Sequence, residues 1–392
     1  MNKTAQLFWQ EWRSIFQNRT LVSIMLLVPF LYFSLFGFLY QEKKITDVPT
    51  VVVDSDQTEL SRELIRAFDI DQSFSVRTIV GSETEAMQLI DKGQVQVAVV
   101  VPDGLTQKVK AGQEAEVLTV IDGSNMMISN TVVRAASTIV KTISAGVTLK
   151  KLEAKGAWGE TGESMFTGID YRYRVLYNPT FSYLSFMVFG LGGTVLQQTL
   201  FLGIALAITR EKEQGTWEQT FTQHSFLQLL AGKAGPYLLI STFTLVCTYA
   251  ILLKGFDVPY YGNLLHFLMI GTAFNISVLA IGFAISCYAK NQLQATQTAM
   301  MIAVPSFMLS GFTWPLTAMP AGVAAIGKSL PLTYFLHGTR EILSKGHGLS
   351  YLTHDFVVLL LLTLIGLFIA YVTYLRATAK NSIVSAEQSG IV

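Results

Sequence analysis

Long uninterrupted apolar runs, rather than stripes at helical spacing, dominate this sequence and make a lipid bilayer the natural solvent for much of it. Crossing the hydrocarbon takes roughly twenty apolar residues. Six segments reach or approach that length: 21–39, 183–208, 237–253, 264–287, 295–312 and 356–374. The fifth has a polar entrance at Gln294, Thr296, Gln297 and Thr298 and is interrupted by Pro305, a pattern tolerated where the polar face lines a cavity or another helix. Composition agrees, with 51% apolar residues, 14% charged and a net charge of +1. A balance so close to zero, with no basic cluster interleaved with aromatics, argues against a nucleic-acid surface.

Flanking charge sets the orientation. With the N-terminus inside, Lys3, Arg13, Arg19, Arg210, Lys212, Lys233, Lys290, Arg376 and Lys380 are cytoplasmic. Only Lys254, Lys328, Arg340 and Lys345 then lie outside, so the positive-inside rule places both termini in the cytoplasm. The first span reads as a signal anchor, too long and without a small-residue cleavage site to be a cleaved signal peptide. Before it, Phe8, Trp12, Ile15 and Phe16 share one helical face while Glu11, Arg13 and Gln17 fall elsewhere, the pattern of an interfacial amphipathic helix.

Residues 41–178 belong to a different solvent. Strand-like runs at 50–53, 74–80, 95–101 and 117–121 alternate with helical patterns such as Leu60, Leu64, Ile65 and Phe68. An α/β domain outside the cytoplasm is expected. From 125 to 154, Ile128, Val132, Ile139, Ile143 and Val147 predict a long helix returning towards the membrane, and a Gly-rich piece at 156–168 links it to the second span. Asp54, Asp56 and Asp122 follow strand ends; carboxylates there can bind a ligand or cation, but the ordinary reading is turn formation and capping.

The charged loop at 209–233 carries its own stop and start signals. Gly215 can take the left-handed conformation that ends a helix, Thr216 with Gln219 forms a capping box, and Ser225 with Gln228 repeats it. Residues 217–223 are thereby bracketed as a short helix that cannot stand alone in water. Trp217 and Phe221 give it an apolar anchor, and Glu218, Gln219 and Gln223 are left for the cytoplasm or a partner.

Other signals carry less. Cys247 and Cys287 fall inside spans, and His224, His266, His337, His347 and His354 are scattered, so no metal spacing appears. Residues 322–329 read GVAAIGKS and satisfy the phosphate-loop pattern, yet no strand precedes them and Pro331 interrupts the helix that should follow. A short helix between Pro320 and Pro331 is expected instead. Residues 313–346 are too punctuated to cross and suit two outer half-helices, the second capped by Thr333 and ended by Gly346. Gln197, Gln198 and Thr199 in the second span, Asn275 in the fourth, and Gln294, Gln297 and Thr298 in the fifth are polar groups that lipid penalises. They suit a transport path or dimer interface beside apolar groups such as Phe186, Phe189, Phe307 and Met308, or equally helix-to-helix hydrogen bonds.

REKEQGTWEQ at 210–219, SGFTWPLTAMP at 310–320 and LPLTYFLHGTREILSKG at 330–346 together resemble the permease subunit of type-2 ABC transporters, over essentially the whole length. The subgroup it resembles is the exporters with a large extracytoplasmic domain between the first and second spans. Trp217, Trp314 and His337 depart from the family's usual residues. The resemblance implies a type-2 exporter fold: a cytoplasmic interfacial helix at 1–19, a first transmembrane helix at 20–40, an extracytoplasmic α/β domain at 41–178, and transmembrane helices two to six within 179–392. It implies a bacterial cytoplasmic membrane, two cytoplasmic ABC ATPase subunits as partners, and a second permease chain, identical or homologous. Membrane lipid surrounds the complex, and an extracytoplasmic adaptor is a further candidate partner. No cofactor is expected on this chain, ATP and magnesium belonging to the ATPase. On the same resemblance, Arg210, Glu211, Glu213, Gly215, Thr216, Trp217, Glu218 and Phe221 form the coupling helix and its approach. Export of a lipophilic or amphiphilic cargo is the expected function; the alternative is a non-transporting membrane sensor or envelope-organising protein with an extracytoplasmic ligand-binding domain.

Overall fold

A computed structural model describes residues 3–40, 45–111, 113–154, 176–178 and 182–388. The chain divides into two compact units, one of Met1–Lys43 with Val175–Val392 and one of Lys44–Arg174. The Gly-rich linker at 156–168 lies outside the described residues.

The smaller unit is α/β. Strands β1 (Val48–Asp54), β2 (Phe74–Val80), β3 (Val97–Val101) and β4 (Leu118–Ile121) form one sheet in the order β2-β1-β3-β4. β1 runs parallel to both neighbours and β4 antiparallel to β3. Side chains alternate across a strand, so Val52 of β1 packs with Leu64, Phe68 and Val132, while Val51 and Val53 pack with Ala86 on the other face. Helices α3 (Glu59–Ile70) and α6 (Met126–Ala154) thus cover one face and α4 (Glu83–Asp91) the other, with α5 (Leu105–Ala111) beside the strand ends. Both faces need cover because the inner strands carry buried apolar residues on both sides, Val51, Val52 and Val53 in β1 and Val97, Ala98 and Val99 in β3. The strand-end carboxylates serve turns and caps: Asp54 accepts from Gln57 N and Ser61 Oγ, Asp56 from Thr58 and Thr106, and Asp122 from Ser124 N.

The larger unit is a helical bundle. An N-terminal helix α1 (Lys3–Gln17) precedes α2 (Arg19–Leu39), which Asn18 caps by accepting from Leu21 N at 3.1 Å. Then come α7 (Tyr183–Gln214), the short α8 (Trp217–Gln223), α9 (Phe226–Gly255), α10 (Leu264–Tyr288), α11 (Gln292–Leu309), the half-length α12 (Ala321–Lys328) and α13 (Pro331–Thr339), and α14 (Thr353–Gln388). Among the described residues, five helices are long and apolar enough to cross a bilayer: α2, α7, α9, α10 and the 349–376 part of α14 with the turn before it. The expected fifth span corresponds to α11, whose 18 residues are not among them.

α7 and α10 form the buried centre, where Phe201, Phe274, Phe335, Tyr237 and Tyr249 are enclosed. α14 instead exposes Leu360, Leu361, Leu364, Ile365 and Phe368, a surface that lipid would solvate at no cost. Without a hydrophobic drive between spans, small residues permit the contact: a Cβ on Gly366 would sit 2.9 Å from the Ala280 backbone, so α14 lies against α10 only because that position is glycine.

Two sequence expectations need correction. Glu11, assigned to the polar face of α1, is buried together with Leu7 and Ile15, whereas Phe16 is exposed; this buried side of the helix packs on α9. Thr333 does not cap its own helix, which begins at Pro331 after Leu330. Its hydroxyl donates to Gly327 O at 2.6 Å and satisfies a carbonyl ending α12. The phosphate-loop pattern lies within helical backbone, since Gly322 to Lys328 belong to α12.

Candidate functional site

The loop between α7 and α9 is built as expected at its ends and differently at its base. Gly215 takes φ +72°, and the chain closes a Schellman turn with Thr216 N donating to Glu211 O and Gly215 N to Lys212 O. That turn leaves Thr216 in the helical region, so its side chain is aimed away from Gln219 N and the expected capping box does not form; the Thr216 hydroxyl faces Glu211 O at 3.5 Å. The second box does form, with Ser225 Oγ accepting from Gln228 N and Gln228 Oε1 from Ser225 N.

Between these signals α8 is held by its anchor. Phe221 is buried against Leu7, Leu229 and Tyr374, and Lys212 Nζ lies 5.3 Å over the Trp217 ring. The opposite side, with Glu218, Gln219 and Gln223, is exposed. A two-turn helix gains its stability from such packing rather than from its own hydrogen bonds.

Arg210 and Glu211 point inward. Glu11, 2% exposed, accepts from Arg210 Nη2 at 2.9 Å, Lys233 Nζ at 2.8 Å and Tyr237 OH at 2.9 Å. Lys233 also pairs with Glu211. Two acids and two bases therefore neutralise one another where α1, α7 and α9 meet. Burying them is tolerable only because each is paired and hydrogen-bonded. Lys212 donates to Ala289 O at 2.7 Å and Ser286 O at 3.3 Å, and also to Cys287 O; a cation thus meets the carbonyl end of α10. Glu213, although exposed, accepts from both the backbone and the side chain of Gln292. The loop is clamped to α1, α9, α10 and α11, while α8's outer face stays exposed together with the turn at Gly215 and Thr216.

Of these clamping residues, Glu11, Lys233 and Tyr237 were not singled out by the loop's sequence. The available signal was a lone acid in an aromatic helix and a lone lysine at the foot of an apolar run.

The polar residues of the spans sit in different surroundings. Gln197 and Asn275 are buried, with both polar atoms of Gln197 and Asn275 Nδ2 lacking a hydrogen-bond partner. Gln198 is half-buried. Gln294 sits in the first turn of α11 and accepts from Lys290 N, and Gln297 faces outward. Phe307 packs 6.0 Å from Phe312. Among the described residues, no group of three or more His, Cys, Asp or Glu side chains is placed to hold a metal ion.

The family described as ABC-2 family transporter protein matches residues 19–372. This chain belongs to the ABC-2 transporter family. Among its relatives are the probable multidrug ABC transporter permease YbhR of Escherichia coli, 24% identical over 348 residues covering 88% of this chain and 90% of that one. The probable multidrug ABC transporter permease YbhS is 27% identical over 273 residues, 69% of this chain and 70% of YbhS. The inner membrane transport permease YhhJ is 22% identical over 362 residues, 90% and 91% of the two chains. An ABC-2 permease is a transport component rather than an ATPase, and membership implies partnership with ABC ATPase subunits. The chain is a multi-pass membrane protein, in keeping with its apolar helices.

Proposed function

We propose that this chain couples ATP hydrolysis on two separate cytoplasmic ATPase subunits to export of a lipophilic or amphiphilic cargo across a bacterial cytoplasmic membrane. The observation that carries the proposal is α8. It is a short helix set rigidly between two spans, with its apolar side spent on the bundle and its polar side, Glu218, Gln219 and Gln223, exposed. Motion imposed on that face passes through Arg210, Glu211 and Lys233 into α7, α9 and α1, which the buried charges join. ATP and magnesium act on the partner and not here.

The loop is cytoplasmic in this reading, both termini are inside, and the α/β unit is outside, as the flanking charges favour. α11 crosses as a sixth span. Its outward face carries Met301, Val304 and Met308 together with Gln297, and a polar amide there favours cover by a second permease chain over lipid.

Glu218→Ala and Gly215→Pro test the coupling role, proline being unable to adopt a positive φ. Both variants insert normally, while vanadate-sensitive ATPase activity of the purified complex or co-purification of the ATPase drops severalfold. Unchanged activity and assembly in both would refute the role assigned to α8.

A further inference from the structure

At the end of α7 away from the loop, a cavity of about 160 Å³ opens inside the bundle unit, and the chemistry of its wall is specific. Its apolar wall includes Phe186 and Phe312, stacked with centroids 5.5 Å apart, and its mouth is flanked by Tyr177 and Tyr261. The charged groups on it are Arg340 and Lys345, and no carboxylate lines it among the described residues.

The local backbone explains why two cations meet there. Residues Arg340–Ser344 form a π turn, with Lys345 N donating to Arg340 O at 3.1 Å. Closing the turn over five residues widens the coil, which brings positions 340, 344 and 345 onto one side; π turns recur at functional sites for this reason. Arg340 lies 4.4 Å over the Phe312 ring and 5.9 Å over that of Phe186, and its hydrogen bond is to Phe312 O at 3.0 Å. It has no carboxylate partner among the described residues, leaving part of its donor fork unused. Lys345 reaches Tyr177 at 5.8 Å but shares its charge with Glu341. Glu341 in turn is held by His347 as well as Lys345; its charge reaches Arg340, but it neither pairs with the guanidinium nor lines the cavity.

An aromatic wall with a guanidinium that no carboxylate contacts among the described residues disfavours cations, leaves a neutral apolar ligand with no partner for the charge, and fits one class well. We infer that this cavity binds an amphiphilic anion, with a flat or branched apolar body against the stacked Phe186 and Phe312 and a single carboxylate or phosphate against Arg340 and Lys345. Arg340 provides geometric recognition through its planar fork and Lys345 adds charge. What the cavity is for rests on the transport reading, as an exit-side station for cargo or a seat for a lipid headgroup; the binding itself does not depend on it.

The test therefore needs no ATPase. The purified full chain in nanodiscs of zwitterionic lipid is titrated with 2-naphthoate and with its cationic counterpart 2-naphthylmethylammonium. The naphthoate binds saturably and the cation does not, a comparison made on unaltered protein. Arg340→Gln weakens naphthoate binding at least about tenfold, and Lys345→Gln by a smaller factor, with thermal melting confirming that each variant is folded. Adding anionic lipid to the nanodisc separates the sources: competition with naphthoate marks a lipid headgroup, and no competition marks a cargo anion, both being amphiphilic anions. Equal binding of the cation, or full naphthoate affinity in folded Arg340→Gln, overturns the inference. No naphthoate binding to the unaltered chain with intact ATP-driven export would reject the cavity alone, whereas naphthoate binding with export unaffected by the α8 variants would reject the coupling assignment alone.

Discussion

The two ends of α7 hold charge in opposite ways. At the loop end, Arg210 joins Lys233, Glu11 and Glu211 in a cluster whose charges cancel and whose donors are aimed at one another. At the other end, Arg340 beside Phe186 makes a single backbone hydrogen bond and faces a cavity. Phe186 and Arg210 are separated by about 36 Å of helix at 1.5 Å per residue, more than the roughly 30 Å of bilayer hydrocarbon. A closed charge cluster resists rearrangement and transmits force. An incomplete one invites a ligand. The same helix can thus be anchored to a drive at one end and present a binding surface at the other.

The largest effect expected is from opening the closed cluster. Glu11→Ala leaves Lys233 and Arg210 buried with only Glu211 to answer them, at a cost of about 3–5 kcal/mol. The variant should melt far below the parent and lose α1 from the bundle, seen as new protease cleavage before residue 18 in a purified preparation. Wild-type melting in this variant would mean that the cluster is not a clamp.

A smaller effect sharpens the other end. His337 Nδ1 lies 2.8 Å from Asp355 Oδ2, near the cavity's π turn. That hydrogen bond, opposed by burial and aided by the charges of Asp355 and Glu341, raises the His337 pKa above its ordinary value. A raised value means that the stabilisation is complete below the unfolded-state pKa and is lost as pH rises through the folded one. His337→Gln should therefore lower the melting temperature at about pH 6 and differ little from wild type at about pH 9. The ring is about half exposed, with 52% of its side-chain surface accessible, so the difference stays below about 1 kcal/mol. A gap that widens with pH would contradict the pairing.

The contrast between the ends also marks what the sequence could disclose. Signals local to the chain were legible: the strand runs became β1 to β4, the 125–154 periodicity became α6, and Gly215 and Ser225 bracketed α8. Interactions between distant positions were not. Glu11 looked like a polar-face residue because a helical wheel cannot show Lys233, 222 positions away, or Arg210, 199 away. Thr216 and Thr333 satisfied cap patterns, yet the left-handed turn at Gly215 and the carbonyl of Gly327 redirected their hydroxyls. The carboxylates and arginine of the loop motif could be named as a group, but only packing divides them into Arg210, Glu211 and Glu213, which clamp, and Glu218, which is exposed. The cavity was invisible for the same reason, since its wall draws on α7, the turn after α11 and the π turn together.

That division within one short motif is the central claim, and site-directed crosslinking reads it directly. A photo-crosslinker introduced at position 218 or 219, and separately at 211, is activated in membranes from cells that also express the partner ATPase. Adducts containing the ATPase are predicted from 218 and 219, and none from the inward-facing, partly buried 211. ATPase adducts absent from both 218 and 219, or formed as readily from 211, would contradict the account.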